Sequence, residues 1–251
     1  MNIIVCCKVV PEEQDIVVKD DGSIDLSRAA AKISQYDLNA IEAAMNLAGE
    51  GGQVTALTAG SPKWLESTKI RKDILSRGPH KLEIIMEPAL EGALPDATAA
   101  LLAPACREIG FDLIICGEGS GDLYAQQTGL LLGEMLDIPA INAVSSIAVE
   151  NGALVVERDL EREQEILEMP LPALVCVSSD INTPKIPTMK AILSAAKKPA
   201  NVREGGEVKS LSEVVSICAP KAAERRNEIV EGDAEEKVDA FIAMLRKVLQ
   251  G

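Results

Sequence analysis

The stretch Leu113–Thr128, LIICGEGSGDLYAQQT, decides the fold of this chain. It begins with an uninterrupted apolar run, which is typical of a buried strand. Three glycines follow, and a helical pattern then begins near Asp122 and carries Leu123, Leu130, Leu131 and Met135. A strand, a glycine-rich turn and a helix N-terminus make an anion site, because backbone N–H groups approach a phosphate closely and the helix dipole favours negative charge. The turn therefore predicts a nucleotide held by its phosphates.

The glycine spacing of this turn is not a known phosphate motif. It lacks the Lys-Ser/Thr pair of a Walker loop, and it does not follow the dinucleotide pattern G-x-G-x-x-G. An ordinary strand-to-helix connection, capped by Ser120 or Asp122, accounts for the same residues. The turn alone leaves both interpretations open.

Composition narrows the class of protein. The chain has 251 residues, enough for one large domain or for one domain with an appendage. Apolar residues make up 47% of it but aromatic residues only 2%, so Ala, Val, Ile and Leu must form the core. A sheet covered by helices has this kind of core. No apolar run is long enough for a transmembrane helix, and residues 1–10 lack the basic start of a signal peptide.

Charge, cysteine and histidine usage exclude several functions. A net charge of −14 argues against nucleic-acid binding. His80 is the only histidine, which excludes a histidine-based triad and all but excludes a multi-histidine metal site. The six cysteines form no CxxC pair and mostly lie in apolar runs, which predicts buried, reduced thiols in a cytoplasmic protein rather than metal ligands or disulfides. They are Cys6, Cys7, Cys106, Cys116, Cys176 and Cys218.

Strand-like and helix-like segments alternate along most of the chain. The predicted strands are Ile3–Val9, Val54–Thr58, Leu82–Met86, Leu113–Cys116 and Ala173–Val177. The predicted helices contain Leu38 to Ala48, Ile70 with Ile74, Asp96–Ile109, and the segment after the glycine turn. This order predicts an α/β fold with an open, mostly parallel sheet and right-handed crossovers. Ligands of such sheets bind beyond the carboxyl ends of the strands, so Cys7–Val10, Thr58–Ser61 and the glycine turn are expected to meet.

Three later segments depart from the alternation. Val155–Arg158 and Gln164–Leu167 predict a polar β-hairpin, and the charges at its tip are expected to be solvated. Residues 181–203 contain five basic residues and no acidic one, and three prolines bar a continuous helix. This segment is either an irregular connector or an arm that offers an apolar anchor to another protein. Residues 199–230 look like a loop, and Asp233–Leu249 predicts an amphipathic helix with Asp233 as N-cap, docked on its own core or on a partner.

Taken together, these segments resemble the beta subunit of electron transfer flavoproteins, essentially end to end. The resemblance is carried by residues 3–11 (IIVCCKVVP), 34–44 (SQYDLNAIEAA), 117–129, 156–176 and 182–198. The segment at 156–176 is the most specific, although Arg162 replaces an acidic residue or glycine of the family pattern. Residues 31–43, 71–79 and 178–193 look closest to the branch associated with carnitine and acyl-CoA reduction.

The resemblance implies a fold, a cofactor and partners. The fold would be a sheet of the adenine-nucleotide α-hydrolase-like (Rossmann-like) type with a β-hairpin insertion and a C-terminal arm ending in a helix. The chain would form a heterodimer with an alpha subunit that carries FAD at the interface. It would itself hold AMP or a second FAD, and a second FAD permits electron bifurcation with NADH. The implied nucleotide contacts are Cys7, through its backbone, Ser34, Gln35, Tyr36, Asp37, Ala59, Gly117, Glu118, Gly119, Ser120, Gly121, Asp122, Leu123, Tyr124, Ala125, Gln126, Gln127 and Thr128.

The electron-bifurcating members of the family usually carry Asp-Gly-Asp-Thr where this chain has Asp122-Leu-Tyr-Ala125. Tyr124 therefore replaces an acidic residue, and it blocks a flavin, stacks on an adenine or faces solvent. Met189 corresponds to the apolar anchor that docks an acyl-CoA dehydrogenase, with Lys185 and Lys190 beside it. The whole implied docking segment is Lys185, Ile186, Pro187, Thr188, Met189, Lys190, Ala191, Ile192 and Leu193.

The predicted organisation has three parts: a nucleotide-binding α/β domain (1–184), a recognition loop with an extended arm (185–231) and a C-terminal helix (232–251). The chain would be an electron carrier without acid–base catalysis of its own, since the flavin carries the chemistry. Two alternatives come from other classes, an adenylating or ATP-hydrolysing enzyme and an ATP-binding protein of the universal-stress type. The first needs Ser-Gly-Gly-x-x-Ser or His-x-Gly-His, which the chain lacks, and the lysine-bearing loop favours a partner over the second.

Overall fold

The structure is a computed structural model that describes residues 1–207, 209–221, 229–232 and 234–249. The described strands are β1 (Asn2–Cys6), β2 (Val9–Pro11), β3 (Val17–Val18), β4 (Ile24–Asp25), β5 (Ala31–Ile33), β6 (Gln53–Gly60), β7 (Lys81–Met86), β8 (Leu113–Gly117), β9 (Ala140–Glu150), β10 (Ala153–Asp159), β11 (Gln164–Met169), β12 (Ala173–Val177) and β13 (Ala200–Glu204). The described α-helices are α1 (Gln35–Ala48), α2 (Pro62–Leu65), α3 (Thr68–Ser76), α4 (Pro95–Ile109), α5 (Thr128–Leu136), α6 (Met189–Ala195) and α7 (Glu235–Leu249).

Nine of these strands form one sheet in the order β11-β10-β9-β12-β8-β1-β6-β7-β13. Every neighbouring pair from β9 to β13 is parallel, whereas β10 is antiparallel to both β9 and β11. The prediction of an α/β fold with a mostly parallel sheet is confirmed. The pairs β2–β5 and β3–β4 form two small antiparallel sheets beside it.

The central strands are apolar throughout because helices cover both faces of the sheet. Every residue of β12, and the first four of β8, is buried. One face packs against α1 and α3 through residues such as Ile41 and Ile74, and the other packs against α4 and α5 through residues such as Leu102 and Leu132. Covering both faces removes the alternation of polar and apolar residues that a half-exposed strand shows.

The predicted hairpin is present as β10 and β11, with Leu154 opposite Met169. The first predicted strand is wrong at its end, because β1 stops at Cys6 and Val9 begins the separate strand β2. The strand β9, which joins the hairpin to the parallel sheet, was not predicted.

Two boundary predictions are corrected by the structure. The helix after the glycine turn begins at Thr128 rather than near Asp122, and Leu123 lies before it with 43% of its surface exposed. The prediction of a loop over residues 199–230 is wrong for Ala200–Glu204, which form β13 and pair with β7. Both errors arise where long-range contacts override a local pattern.

The predicted C-terminal helix is present as α7, and its proposed N-cap Asp233 lies outside the described residues. Its apolar residues Val238, Phe241, Ile242 and Leu245 are exposed, so the described part of this chain does not cover its apolar face. No helix in the described ranges is long and apolar enough to cross a membrane.

Candidate functional site

A cleft opens at the carboxyl ends of the parallel strands. It holds about 730 Å³ of empty space, counted with its opening to solvent. Cys7 after β1, Ala59 in β6 and Gly117 at the end of β8 all line it. The three strand ends therefore meet at one place, as the order of the strands predicts.

Gly117 allows the glycine turn to approach the first turn of α1. Its N–H donates to Asp37 Oδ1 at 3.1 Å, and a Cβ at this position would lie 2.6 Å from that oxygen and 2.8 Å from the backbone carbonyl carbon of Tyr36. Any side chain here would push α1 away from β8. The first glycine of the turn is therefore required by close packing.

Asp37 is the buried carboxylate at the floor of this junction. Its Oδ2 accepts from the backbone N–H of Lys8 at 2.7 Å, while Oδ1 accepts from Gly117. Burial raises the pKa of Asp37 from 3.8 to about 7, and the two N–H donors oppose that rise. Asp37 thus joins strand β1, helix α1 and the glycine turn through hydrogen bonds that favour its ionised form.

An ion pair holds the glycine turn over the cleft. Lys8 Nζ lies 2.6 Å from Asp122 Oδ2 and 3.4 Å from Ser120 Oγ. The N–H of Gly121 donates to the buried Ser34 Oγ at 3.3 Å. Coulombic attraction and hydrogen bonding to Lys8 hold the pKa of Asp122 below its usual range against the effect of its partial burial. Lys8, which follows β1, and Ser34, which precedes α1, therefore hold the glycine turn in position.

The second half of the turn has an unusual backbone. Tyr124 and Gln126 have φ angles of 45° and 55°, a region that side chains other than glycine seldom adopt. The Tyr124 ring packs on the Tyr36 ring with 5.2 Å between centroids, and its hydroxyl donates to Glu118 Oε1 at 2.9 Å. That hydrogen bond raises the pKa of Tyr124 to about 12. Strained backbone of this kind concentrates at binding sites.

The first turn of α5 faces the same cleft with free backbone donors. Gln127 occupies the N-cap position, and among the described residues no side chain caps this helix end. Gln127, Thr128 and Gly129 all line the cleft. An uncapped N-terminus presents N–H groups and the positive end of the helix dipole, which is a binding site for a phosphate or carboxylate. The predicted caps Ser120 and Asp122 do not serve this helix.

Twelve of the eighteen predicted nucleotide residues line the cleft: Cys7, Asp37, Ala59, Gly117, Glu118, Gly119, Ser120, Leu123, Ala125, Gln126, Gln127 and Thr128. The N–H of Cys7 is used by the carbonyl of Leu57 at 2.9 Å, which leaves the Cys7 carbonyl for a ligand. The other six predicted residues do not line the cleft: Ser34, Gln35, Tyr36, Gly121, Asp122 and Tyr124. All eighteen stay predictions as nucleotide contacts.

Nine further residues line the cleft that were not among the predicted nucleotide contacts, although Lys8 lies in the segment Cys7–Val10 that was expected to meet the turn: Cys6, Lys8, Leu57, Ala93, Pro95, Thr98, Leu102, Cys116 and Gly129. Lys8 matters most, because it is the one basic side chain among the described residues that line the cleft, and its ammonium pairs there with Asp122. It lies two residues after the end of β1, and a polar residue at the carboxyl end of a parallel strand is the signal that could have identified it.

Comparison with known families agrees with this architecture. Residues 21–207, about three quarters of the chain, match the family model of the electron transfer flavoprotein domain. The chain belongs to this family. Electron transfer flavoproteins are electron carriers associated with flavin, and family membership implies electron-transfer partners and assembly as a heterodimer.

In this electron transfer flavoprotein chain the predicted docking segment comprises four residues outside regular secondary structure and the first five residues of α6. Within it Ile186, Met189 and Leu193 are 90%, 75% and 70% exposed. Thr188 Oγ1 caps α6 by accepting from the N–H of Ala191 at 3.2 Å. Lys185, by contrast, points back to Glu42 of α1 with 2.6 Å between Nζ and Oε1. Lys185 therefore secures the segment to the body, while the apolar side chains extend outward.

Proposed function

We propose that this chain is the beta-type subunit of a heterodimeric electron transfer flavoprotein and binds the adenosine phosphate of AMP or of a second FAD. The observation that carries the proposal is the uncapped N-terminus of α5, which opens into a cleft at the strand ends beside Lys8. A helix N-terminus and a lysine are complementary to a phosphate.

The residues of the cleft fit such a ligand. The backbone N–H groups of Thr128 and Gly129 would hold the phosphate, and the ammonium of Lys8, which also lines the cleft, would approach it. The carbonyl of Cys7 and the small residue Ala59 would lie along the nucleoside.

AMP and FAD share the adenosine phosphate, so these contacts suit both. Tyr124 packs on Tyr36 and does not line the cleft. The two tyrosine rings would therefore leave space for a nucleotide, and a second FAD with electron bifurcation stays the alternative function.

The flavin, when bound, supplies the one- and two-electron chemistry. This chain's residues would bind and orient the nucleotide, so that its binding stabilises the folded subunit by mass action. The exposed α6 would dock an acyl-CoA dehydrogenase or reductase-type flavoprotein through Met189. A carrier must also release its partner, and a small apolar contact suits a transient interface.

The first test counts nucleotides. The chain is co-expressed with a flavin-carrying alpha subunit, the purified complex is denatured, and FAD and AMP are quantified per heterodimer. One FAD with one AMP supports the simple carrier, and two FAD without AMP supports the bifurcating alternative. Lys8→Met should lower adenine nucleotide in the beta site, while Lys63→Met, an exposed lysine paired with Glu91, should not. One FAD and no AMP in the wild type would contradict the site.

The second test addresses docking. Met189→Glu should leave the nucleotide content unchanged and slow electron transfer with an acyl-CoA dehydrogenase at least tenfold, because a charge cannot enter an apolar pocket cheaply. Val18→Glu, which alters another exposed apolar residue, in β3, is the control. Equal rates for the two variants would rule out α6 as the anchor.

A further inference from the structure

Two segments of this acidic protein are strongly basic. Residues 67–79 and 183–200 together contain eight basic residues and one acidic residue, Asp73, although the whole chain has 39 acidic and 25 basic residues. The first segment includes α3 and the second includes α6. The basic residues are Lys69, Arg71, Lys72, Arg77, Lys185, Lys190, Lys197 and Lys198.

The structure brings the two segments together into one unit. Helices α3 and α6 pack against each other. Lys198 Nζ donates to the carbonyls of Leu75, Gly78 and Pro79 at 2.8–2.9 Å, so it caps the C-terminal end of α3. On the other side of α6, Arg77 donates to the carbonyl of Lys185 at 3.5 Å. The chain is therefore attached to the C-terminal end of α3 both before and after α6.

The eight cations divide into two groups of four. In the first group the charge is already used: Arg71 donates to the carbonyl of Leu65, Arg77 pairs with Asp73, Lys185 pairs with Glu42, and Lys198 caps α3. In the second group, Lys69, Lys72, Lys190 and Lys197 are exposed and form no ion pair in the part of the chain that the structure describes.

We propose that α3 and α6 form one cationic docking face, in which Lys69 and Lys72 steer a partner with an acidic rim onto the apolar anchor of α6. The class of partner, a flavoprotein that receives or delivers electrons, rests on the proposed function. The chemistry of its contact surface, an apolar pocket surrounded by carboxylates, follows from the charges of this face.

The range of the electrostatic force supports a role for α3. Two packed helices lie about 10 Å apart, close to the Debye length of ~10 Å at 0.1 M salt. The α3 lysines therefore act on a partner that approaches α6. At long range the net charge of −14 repels an acidic partner, and a local basic face selects the one orientation in which attraction prevails.

The test measures how the rate of electron transfer depends on salt. The heterodimer is mixed with an acyl-CoA dehydrogenase reduced by its acyl-CoA, and the second-order rate is followed from ~10 mM to ~500 mM ionic strength. We expect Lys69→Glu with Lys72→Glu to slow the reaction about tenfold at the low end and to approach the wild-type rate within about twofold at the high end. Lys19→Glu with Arg28→Glu, exposed positions around β4, makes the same change in net charge and serves as control.

The outcomes separate this inference from the proposed function. If the α3 variant follows the control at every salt concentration while Met189→Glu still slows transfer at least tenfold, α6 docks alone and the cationic face is wrong. If the wild type transfers no electrons to the dehydrogenase, the proposed class of partner is wrong, and the proposal of a cationic docking face for that partner is wrong as well. A slow α3 variant at all salt concentrations would indicate a short-range role and would overturn steering.

Discussion

Replacing Gly129 tests the position of the α5 N-terminus directly. A Cβ at Gly129 would overlap Cys176 Sγ and lie 3.4 Å from Leu174 Cδ2 and 3.5 Å from Cys116 Cβ. Because nonbonded atoms prefer separations of about 3.5–4.0 Å, α5 would have to move by roughly 1 Å. Overpacking of this kind costs ~1–3 kcal/mol, and the better helix propensity of alanine returns at most ~1 kcal/mol. We expect Gly129→Ala to lower the free energy of unfolding by about 1–2 kcal/mol.

The same displacement would move the proposed phosphate donors, so Gly129→Ala should also weaken AMP binding roughly tenfold, the effect of ~1.4 kcal/mol. Removing the sulfur should relieve both losses. Cys176→Ala alone should cost about 1 kcal/mol, while the double variant should lie within about 0.5 kcal/mol of the wild type because the new methyl occupies the space of the thiol. The two sites would then couple by roughly 2 kcal/mol.

Urea unfolding followed by circular dichroism gives the stabilities, and titration calorimetry with AMP gives the affinities. Gly206→Ala is the matched control, since a Cβ at Gly206 would have no neighbouring heavy atom within 4 Å and the residue lies outside the candidate site. Additive effects of Gly129→Ala and Cys176→Ala would refute the packing of α5 on β12. A Gly129→Ala variant with wild-type AMP affinity would refute the role of this helix end in phosphate binding.

Two further predictions concern buried polar groups. Because burial raises the pKa of Asp37 from 3.8 to about 7, its contribution to stability is fully present below pH 3.8 and is lost as the pH rises through about 7, by an amount on the order of 4 kcal/mol. Asp37→Asn should therefore be less destabilising at pH 8 than at pH 5 in urea unfolding, and parallel pH profiles of variant and wild type would contradict the buried carboxylate. Lys198→Met leaves three carbonyls without their donor, so it should cost ~1–3 kcal/mol and accelerate hydrogen exchange in residues 183–195. Lys197→Met, which alters an exposed lysine, should do neither, and equal exchange in both variants would show that Lys198 does not fix the loop.

The central strands could be predicted from the sequence because burial on both faces leaves an unbroken apolar run, as in β8 and β12. Edge strands give no such signal. Ala200–Glu204 reads as polar loop, with four of its five residues exposed, and becomes a strand only because β7 offers its hydrogen-bonding groups. The interior strand β9 was missed for another reason, since most of its residues are only partly buried and give no apolar run.

The sequence was enough to locate the candidate site but not to predict its detailed geometry. Strand order brings Cys7, Ala59 and the glycine turn together, and parallel topology alone predicts this. The start of α5 could not be predicted, because Leu123 happens to continue the helical period of the residues after it. Asp122, the residue before Leu123, belongs to the turn because its carboxylate pairs with Lys8, which is 114 residues away in the sequence. Contacts over more than a hundred residues have no local signature.

One helix, α1, carries both ends of the proposed function. Its first turn presents Asp37 to the floor of the cleft. Two residues after Asp37, Asn39 Nδ2 donates to the carbonyl of Asn182 at 2.7 Å, and Asn182 donates back to the carbonyl of Asn39. Three residues further on, Glu42 pairs with Lys185. The proposed docking segment is therefore attached to the helix that shapes the proposed nucleotide site. This explains how an exposed apolar anchor keeps a defined position: a loop ordered before contact loses less conformational entropy when a partner binds.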